Sequence, residues 1–143
     1  MRTRLRIVLC GSMSFKDQMQ DAKILLTKLG HDVLLTPGDE DLEGAPLPPI
    51  SEKASRKVAL DVFALYHGYI QKADAVLCYN ETKGSVPHYI GANSFLELGF
   101  AAALHKKMYL LYPIPDMPYL REELVAMNPY ILYGRLENIG ADI

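Results

Sequence analysis

Cysteine and histidine are sparse in this sequence, and their spacing supports neither a disulfide framework nor a metal site. The two cysteines, Cys10 and Cys78, each lie at the end of an apolar run and form no CxxC pair. The four histidines are scattered, without HxH or HExxH spacing. We therefore expect free buried thiols, no structural or catalytic metal, and no cofactor.

The sequence also lacks a surplus of charge and a long apolar run. Fifteen basic and seventeen acidic residues give a net charge of -2, which provides no electrostatic footprint for nucleic acid. The apolar stretch near the start, Ile7 to Cys10, is too short for a secretion signal or a membrane span. We expect a cytoplasmic protein with no membrane partner, folded as a single domain over residues 1–143.

What the sequence does contain is an alternation of strand-like and helical segments. Strands are predicted at 4–11, 31–36, 74–80, 107–113 and 130–133. Helices are predicted after the first strand, from a Ser51 N-cap, around Glu97, and from Tyr119 to Met127. Two apolar helical faces are predicted, comprising Met19, Ala22, Leu25, Leu26 and Leu29 in the first helix and Val58, Val62, Leu65, Tyr69 and Ile70 in the second. This pattern predicts an α/β fold, a flavodoxin-like, doubly wound, five-stranded parallel sheet of order 2-1-3-4-5.

In such a sheet the ligand lies at the carboxyl ends of strands one and three, where the strand order reverses. Gly11, Ser12 and Ser14 follow strand one, and their backbone amides and hydroxyls suit a phosphate or a sugar, with Lys16 as a further candidate. A Gly-Ser turn that only caps a helix is the alternative interpretation. The long loop 37–50 has the length of a lid.

The loop after strand three provides a second group of candidates at the same edge. Asn80, Gly91 and Asn93 are predicted to contact substrate, because glycines let a backbone approach a ligand closely. A turn-forming asparagine and glycine hinges are the structural alternative. Three aromatic residues could stack on a base or belong to the core: Tyr79, Tyr89 and Phe100.

Glu97 is the one charged residue in the apolar run from Phe95 to Leu104. Ser94 and Glu97 fit the S-x-x-E pattern of a capping box, which would make the carboxylate structural. A carboxylate held in an apolar pocket at the ligand edge also suits covalent glycosyl transfer, since it can attack an anomeric carbon. Both interpretations follow from the pattern.

Three segments, "VLCGSMSF", "IQKADAVLCYN" and "FLELGFAAALHKKMYLL", resemble the nucleoside 2-deoxyribosyltransferases and the related 2'-deoxynucleoside 5'-phosphate N-hydrolases. The resemblance covers about residues 5 to 112. It implies a flavodoxin-like fold and makes Glu97 the nucleophile that takes the sugar. The family's usual aspartate, near the end of the second helix, is replaced here by Tyr66, with His67 beside it. One of these two would then be the general acid or orienting group.

The leading hypothesis is therefore an enzyme that cleaves or exchanges the N-glycosidic bond of a nucleoside or nucleotide. The alternative is a module that binds a nucleotide without catalysis, and flavin electron transfer is disfavoured because the first loop lacks a flavin-phosphate motif. Because relatives complete their sites with a neighbouring subunit, the segment "YPIPDMPYL" predicts a homodimer or larger assembly.

Overall fold

A computed structural model describes residues 3–36 and 62–141. The predicted lid at 37–50, the Ser51 N-cap and Val58 lie outside the described residues. The described chain builds five strands: β1 (Arg6–Gly11), β2 (Asp32–Thr36), β3 (Ala75–Tyr79), β4 (Lys107–Leu110) and β5 (Tyr130–Ile131). All neighbouring pairs are parallel and the order is β2-β1-β3-β4-β5, which confirms the predicted flavodoxin-like sheet.

Helices cover both faces of the sheet, as alternating strands and helices require. They are α1 (Lys16–Lys28), α2 (Val62–Lys72), α3 (Ala92–Ala103) and α4 (Arg121–Met127). One core cluster joins α1 to one face, with Met19 and Leu26 packed against Leu9 and Leu77. The other cluster joins α2, α3 and α4 to the opposite face. None of the described helices has both the length and the apolar character needed to cross a bilayer.

The predicted apolar face of α2 agrees with the observed one at Ile70 and differs from it at Leu65. Leu65 is 37% exposed, whereas Tyr66 is buried, with 5% exposed. The buried residues recur as Tyr66, Ile70 and Ala73, at the three- and four-residue spacing of one helical stripe. The prediction for Leu65 was wrong, and its adjacent residue, Tyr66, faces inward instead. In α1 the prediction for Leu25 was wrong in the same way, since this side chain is 41% exposed.

The sheet order places a switch point between β1 and β3. β1 pairs with β2 on one side and with β3 on the other, so the connections leave β1 in opposite directions. Gly11 ends β1 opposite Tyr79, and a Cβ at position 11 would lie only 2.8 Å from the sulfur of Met19 and 3.0 Å from the Tyr79 carbonyl oxygen. Glycine is favoured here because a side chain would force both neighbours to shift.

Candidate functional site

Glu97 lies within α3 and only 3% of it is exposed. The helix begins earlier than a capping box would need, because Gly91 is the N-cap and the Phe95 amide donates to the Gly91 carbonyl oxygen at 2.9 Å. Ser94 is therefore the third residue of the helix. The capping-box interpretation of Ser94 and Glu97 was wrong, and the burial of this carboxylate needs another explanation.

The Glu97 carboxylate contacts residues at the carboxyl ends of β1 and β2. The Thr36 hydroxyl oxygen lies 3.4 Å from Oε1 and 3.5 Å from Oε2 of Glu97. The Cys10 thiol interacts with the same carboxylate. Cys10 lies on β1 directly opposite Thr36 of β2. A hydrogen bond with Cys78 and complete burial, with smaller contributions from Glu97, raise the pKa of Cys10 well above its usual value. The carboxylate therefore has an uncharged thiol for a neighbour.

Glu97 opens onto a cleft of about 330 Å³ at the switch point. The described residues that line it come from the end of β1 and the turn that follows it, from the end of β2, from α2, from the loop before α3, and from α3 itself. They are Gly11, Ser12, Met13, Ser14, Thr36, Tyr66, Lys83, Tyr89, Gly91, Ala92, Asn93, Ser94 and Glu97. The cleft brings together most of the predicted site residues: Glu97, Tyr66, Gly11, Ser12, Ser14, Gly91 and Asn93.

Asn80 is not among these lining residues and has structural partners. Its side chain is fully buried, and Nδ2 donates to the carbonyl oxygens of Tyr112 at 2.9 Å and of Pro113 at 3.4 Å. Its Oδ1 accepts from the Tyr112 amide at 2.9 Å. Asn80 thereby holds the backbone of the segment that follows β4, 32 residues further along the chain, which is a structural role. Its contact with substrate stays a prediction.

His67 also lies outside the set of residues that line the cleft. Its ring meets Phe100 of α3 edge to face, with centroids 5.4 Å apart. Of the two adjacent candidates for a general acid, the structure therefore places Tyr66 in the cleft and His67 between helices. Tyr79 packs against Phe15 with ring centroids 5.9 Å apart, so of the three aromatic candidates it is Tyr89 that lines the cleft.

Lys83 and Thr36 are cleft residues that the sequence analysis missed. Lys83 Nζ donates to the Ser12 hydroxyl oxygen at 3.2 Å and lies 4.8 Å from the centroid of the Tyr89 ring. The Ser14 amide donates to the same Ser12 oxygen at 3.3 Å. The available signal was weak: Lys83 is a cation in a loop already singled out for its glycines, and Thr36 is the last residue of a strand ending at the ligand edge.

A metal centre has no support in the described part of the chain. Between residues 3 and 36 and between 62 and 141, no three side chains among His, Cys, Asp and Glu are grouped to hold a metal ion. Cys10 and Cys78 are both buried and free, as predicted. The described residues that line the cleft supply one carboxylate, three hydroxyls from serine, one from threonine, two phenols and one ammonium.

No protein-family model matches the chain, and no curated protein matches it in sequence. Among solved structures that share its fold is that of the CMP N-glycosidase BcmB of Clostridium botulinum, with a TM-score of 0.51 and 16% identity over 92% of each chain. Another is a conserved protein of Enterococcus faecalis V583, with a TM-score of 0.51 and 18% identity over 96% of this chain and 89% of that one. At these identities the likeness shows a common fold.

Proposed function

We propose that this protein hydrolyses the N-glycosidic bond of a nucleoside 5'-monophosphate, with Glu97 as the nucleophile. The observation that carries the proposal is a carboxylate only 3% exposed that nevertheless lines an open cleft at the switch point. Burying a carboxylate costs free energy, and a buried titratable group that lines a cleft is a candidate for a functional site. The shared fold with a CMP N-glycosidase supports the same reaction class. The resemblance of the Glu97 segment to the deoxyribosyltransferase and N-hydrolase family supports it independently.

The proposed reaction has two steps. A Glu97 carboxylate oxygen attacks the anomeric carbon, the bond from that carbon to the base nitrogen breaks, and the electron pair leaves with the base. Tyr66, which is 5% exposed and lines the same cleft, donates its phenolic proton to the departing base. In the second step water attacks the anomeric carbon of the glycosyl ester, Glu97 leaves as carboxylate, and the water proton restores Tyr66.

The proposed preference for a monophosphate rests on the opposite side of the cleft. Among the described lining residues Lys83 supplies the one positive charge, and its ammonium is held at the Ser12 hydroxyl and over the Tyr89 ring. An ammonium beside hydroxyls and the backbone at the start of a helix suits a phosphate. We therefore assign Lys83, Ser12 and Ser14 to the 5'-phosphate.

The test uses a panel of ribo- and deoxyribonucleosides with their 5'-monophosphates, and chromatography to detect released base. A slow 2-fluoro sugar analogue of the best substrate should leave one glycosyl unit on the peptide that contains Glu97, detected by mass spectrometry after digestion at acidic pH. Glu97→Gln is the control and should remain unlabelled. Binding of nucleotides without release of base would favour the non-catalytic module, and release of base only when a second base is added would favour transfer.

The homo-oligomeric assembly and the cytoplasmic location stay predictions. The segment expected to contact a neighbouring subunit carries Tyr119, which is 92% exposed. A large aromatic side chain left in water suits a contact between copies of the chain. Sedimentation at micromolar concentration tests this, and a monomeric mass would contradict the predicted homo-oligomer.

A further inference from the structure

The buried hydroxyl of Thr36 lies near two possible hydrogen-bond acceptors, the Glu97 carboxylate and the Leu9 carbonyl oxygen. Thr36 is fully buried at the end of β2. Its oxygen lies 3.4 Å from Oε1 and 3.5 Å from Oε2 of Glu97, and 3.4 Å from the carbonyl oxygen of Leu9. A threonine hydroxyl has one proton, so it can donate to the carboxylate or to the carbonyl but not to both at full strength.

We propose that Thr36 is a positioning residue whose hydroxyl proton turns from Glu97 to the Leu9 carbonyl when the carboxylate becomes a glycosyl ester, and turns back when the ester is hydrolysed. This inference rests on the proposed function. No bond to oxygen breaks in this step, because only the torsion of the hydroxyl changes. The three oxygen–oxygen distances are nearly equal, so the hydroxyl changes acceptor by rotating its proton. A small approach of the heavy atoms goes with this rotation, because a strong O–H···O bond has an oxygen–oxygen distance of about 2.7 to 2.8 Å.

The physical basis is the change of charge on Glu97 during the proposed cycle. A hydrogen bond to an ionised carboxylate is about twice as strong as one to a neutral acceptor, so Thr36 favours Glu97 while it is charged. The ester is neutral and is a weaker acceptor. A buried donor left without an acceptor is costly, and the Leu9 carbonyl avoids this cost at the same distance. Thr36 therefore holds the nucleophile in place before attack and supports Glu97 as a leaving group afterwards.

Other titratable groups share the cleft with Glu97 or lie next to it, and they must stay unchanged in a test. Tyr66 of α2 lines the cleft with it, as do Lys83 and Tyr89 of the loop before α3, and Cys10 of β1 lies beneath it. Changing Thr36 alone leaves these groups in place. Valine has nearly the shape of threonine without the hydroxyl, whereas serine keeps the hydroxyl and loses only a methyl group.

We expect Thr36→Val to raise the pH at which Glu97 ionises by about one unit, because a donor to the charged form is lost. Thr36→Ser should restore the parent value. The first measurement is a titration of the Glu97 carboxyl carbon by NMR, assigned by its absence in Glu97→Gln, and it needs no turnover. The second is the acidic limb of kcat/KM for base release, which should shift by the same amount in Thr36→Val.

The two measurements separate this inference from the proposed function. If the parent releases no base but the NMR titration shifts in Thr36→Val and not in Thr36→Ser, the proposed function fails while the donor role of Thr36 stands. An unchanged titration in folded Thr36→Val overturns the inference, whatever the activity. If Thr36→Val does not fold, Thr36→Ala is compared with Thr36→Ser in the same titration.

Discussion

The cleft has two unlike sides, which we call the floor (Glu97, Thr36 and Tyr66) and the rim (Ser12, Lys83 and Tyr89). Every floor residue is at most 5% exposed, whereas Lys83 is exposed and Ser12 is half-buried. Electrostatic interactions are strong where water is excluded and screened where it is present. The floor can therefore support bond making, and the rim is better suited to recognising a charged group as it enters.

The largest effect should come from the floor. Glu97→Gln replaces the carboxylate by an amide that cannot attack an anomeric carbon, so base release should fall at least about a hundredfold. Because the amide keeps the shape of the side chain, the melting temperature should stay within a few degrees of the parent. Initial rates and thermal melts check this. Undiminished base release in Glu97→Gln would refute the nucleophile assignment.

The second prediction separates the two adjacent candidates for the general acid. Tyr66→Phe removes the phenolic proton inside the cleft and should lower kcat about tenfold or more, with the greatest loss for bases that leave poorly. His67→Gln is the matched control, because His67 packs against Phe100 outside the cleft, and its kcat should stay within about twofold. The reverse ranking of the two variants would move the acid from Tyr66 to His67.

The third prediction concerns the rim. Lys83→Met should raise KM at least about tenfold for monophosphates and leave nucleosides unaffected, because a charge-assisted contact to phosphate is worth roughly 1.5 to 3 kcal/mol. Lys72→Met, an exposed lysine at the end of α2, controls for the change in net charge. An equal loss for nucleosides and monophosphates would mean that Lys83 shapes the loop and does not bind phosphate.

The smallest effect should appear in stability rather than in rate. The raised pKa of Cys10 keeps its proton on in the folded state, whereas the unfolded thiol loses its proton near pH 9. The folded state then binds more protons, so stability falls as pH rises above that value, by at most about 1.4 kcal/mol per pH unit. Urea unfolding at pH 8, 9 and 10 measures this slope. Cys10→Ser does not titrate in this range and should show a flatter slope, and parallel slopes would contradict the prediction.

The strand order could be predicted because it depends on local pattern and on rules shared by all parallel sheets. Apolar strands such as Ala75–Tyr79, alternating with helices, admit few arrangements once crossovers are right-handed. The face of α2 could not be placed as reliably. Leu65 and Tyr66 are both apolar enough to be buried, and a rotation of one residue exchanges them.

The role of Asn80 shows a second limit of prediction from the sequence. Its position at the carboxyl end of β3 is where a ligand contact would lie, and the sequence alone supports that interpretation as well as a structural one. The tertiary structure brings the backbone of Tyr112 within 2.9 Å of both ends of the amide group. Since these hydrogen bonds join segments far apart in the chain, no local pattern could reveal them.

By itself the sequence determined the flavodoxin-like sheet and placed Glu97 at its ligand edge, because hydrophobic periodicity and the carboxyl-end rule act along the chain. Only the tertiary structure decided that Glu97 is not a helix cap, that Thr36 faces it, and that Lys83 meets Ser12 at the rim. Those contacts join residues such as Thr36 and Glu97 that are 61 positions apart, and their energies depend on distance and burial, which sequence spacing does not encode.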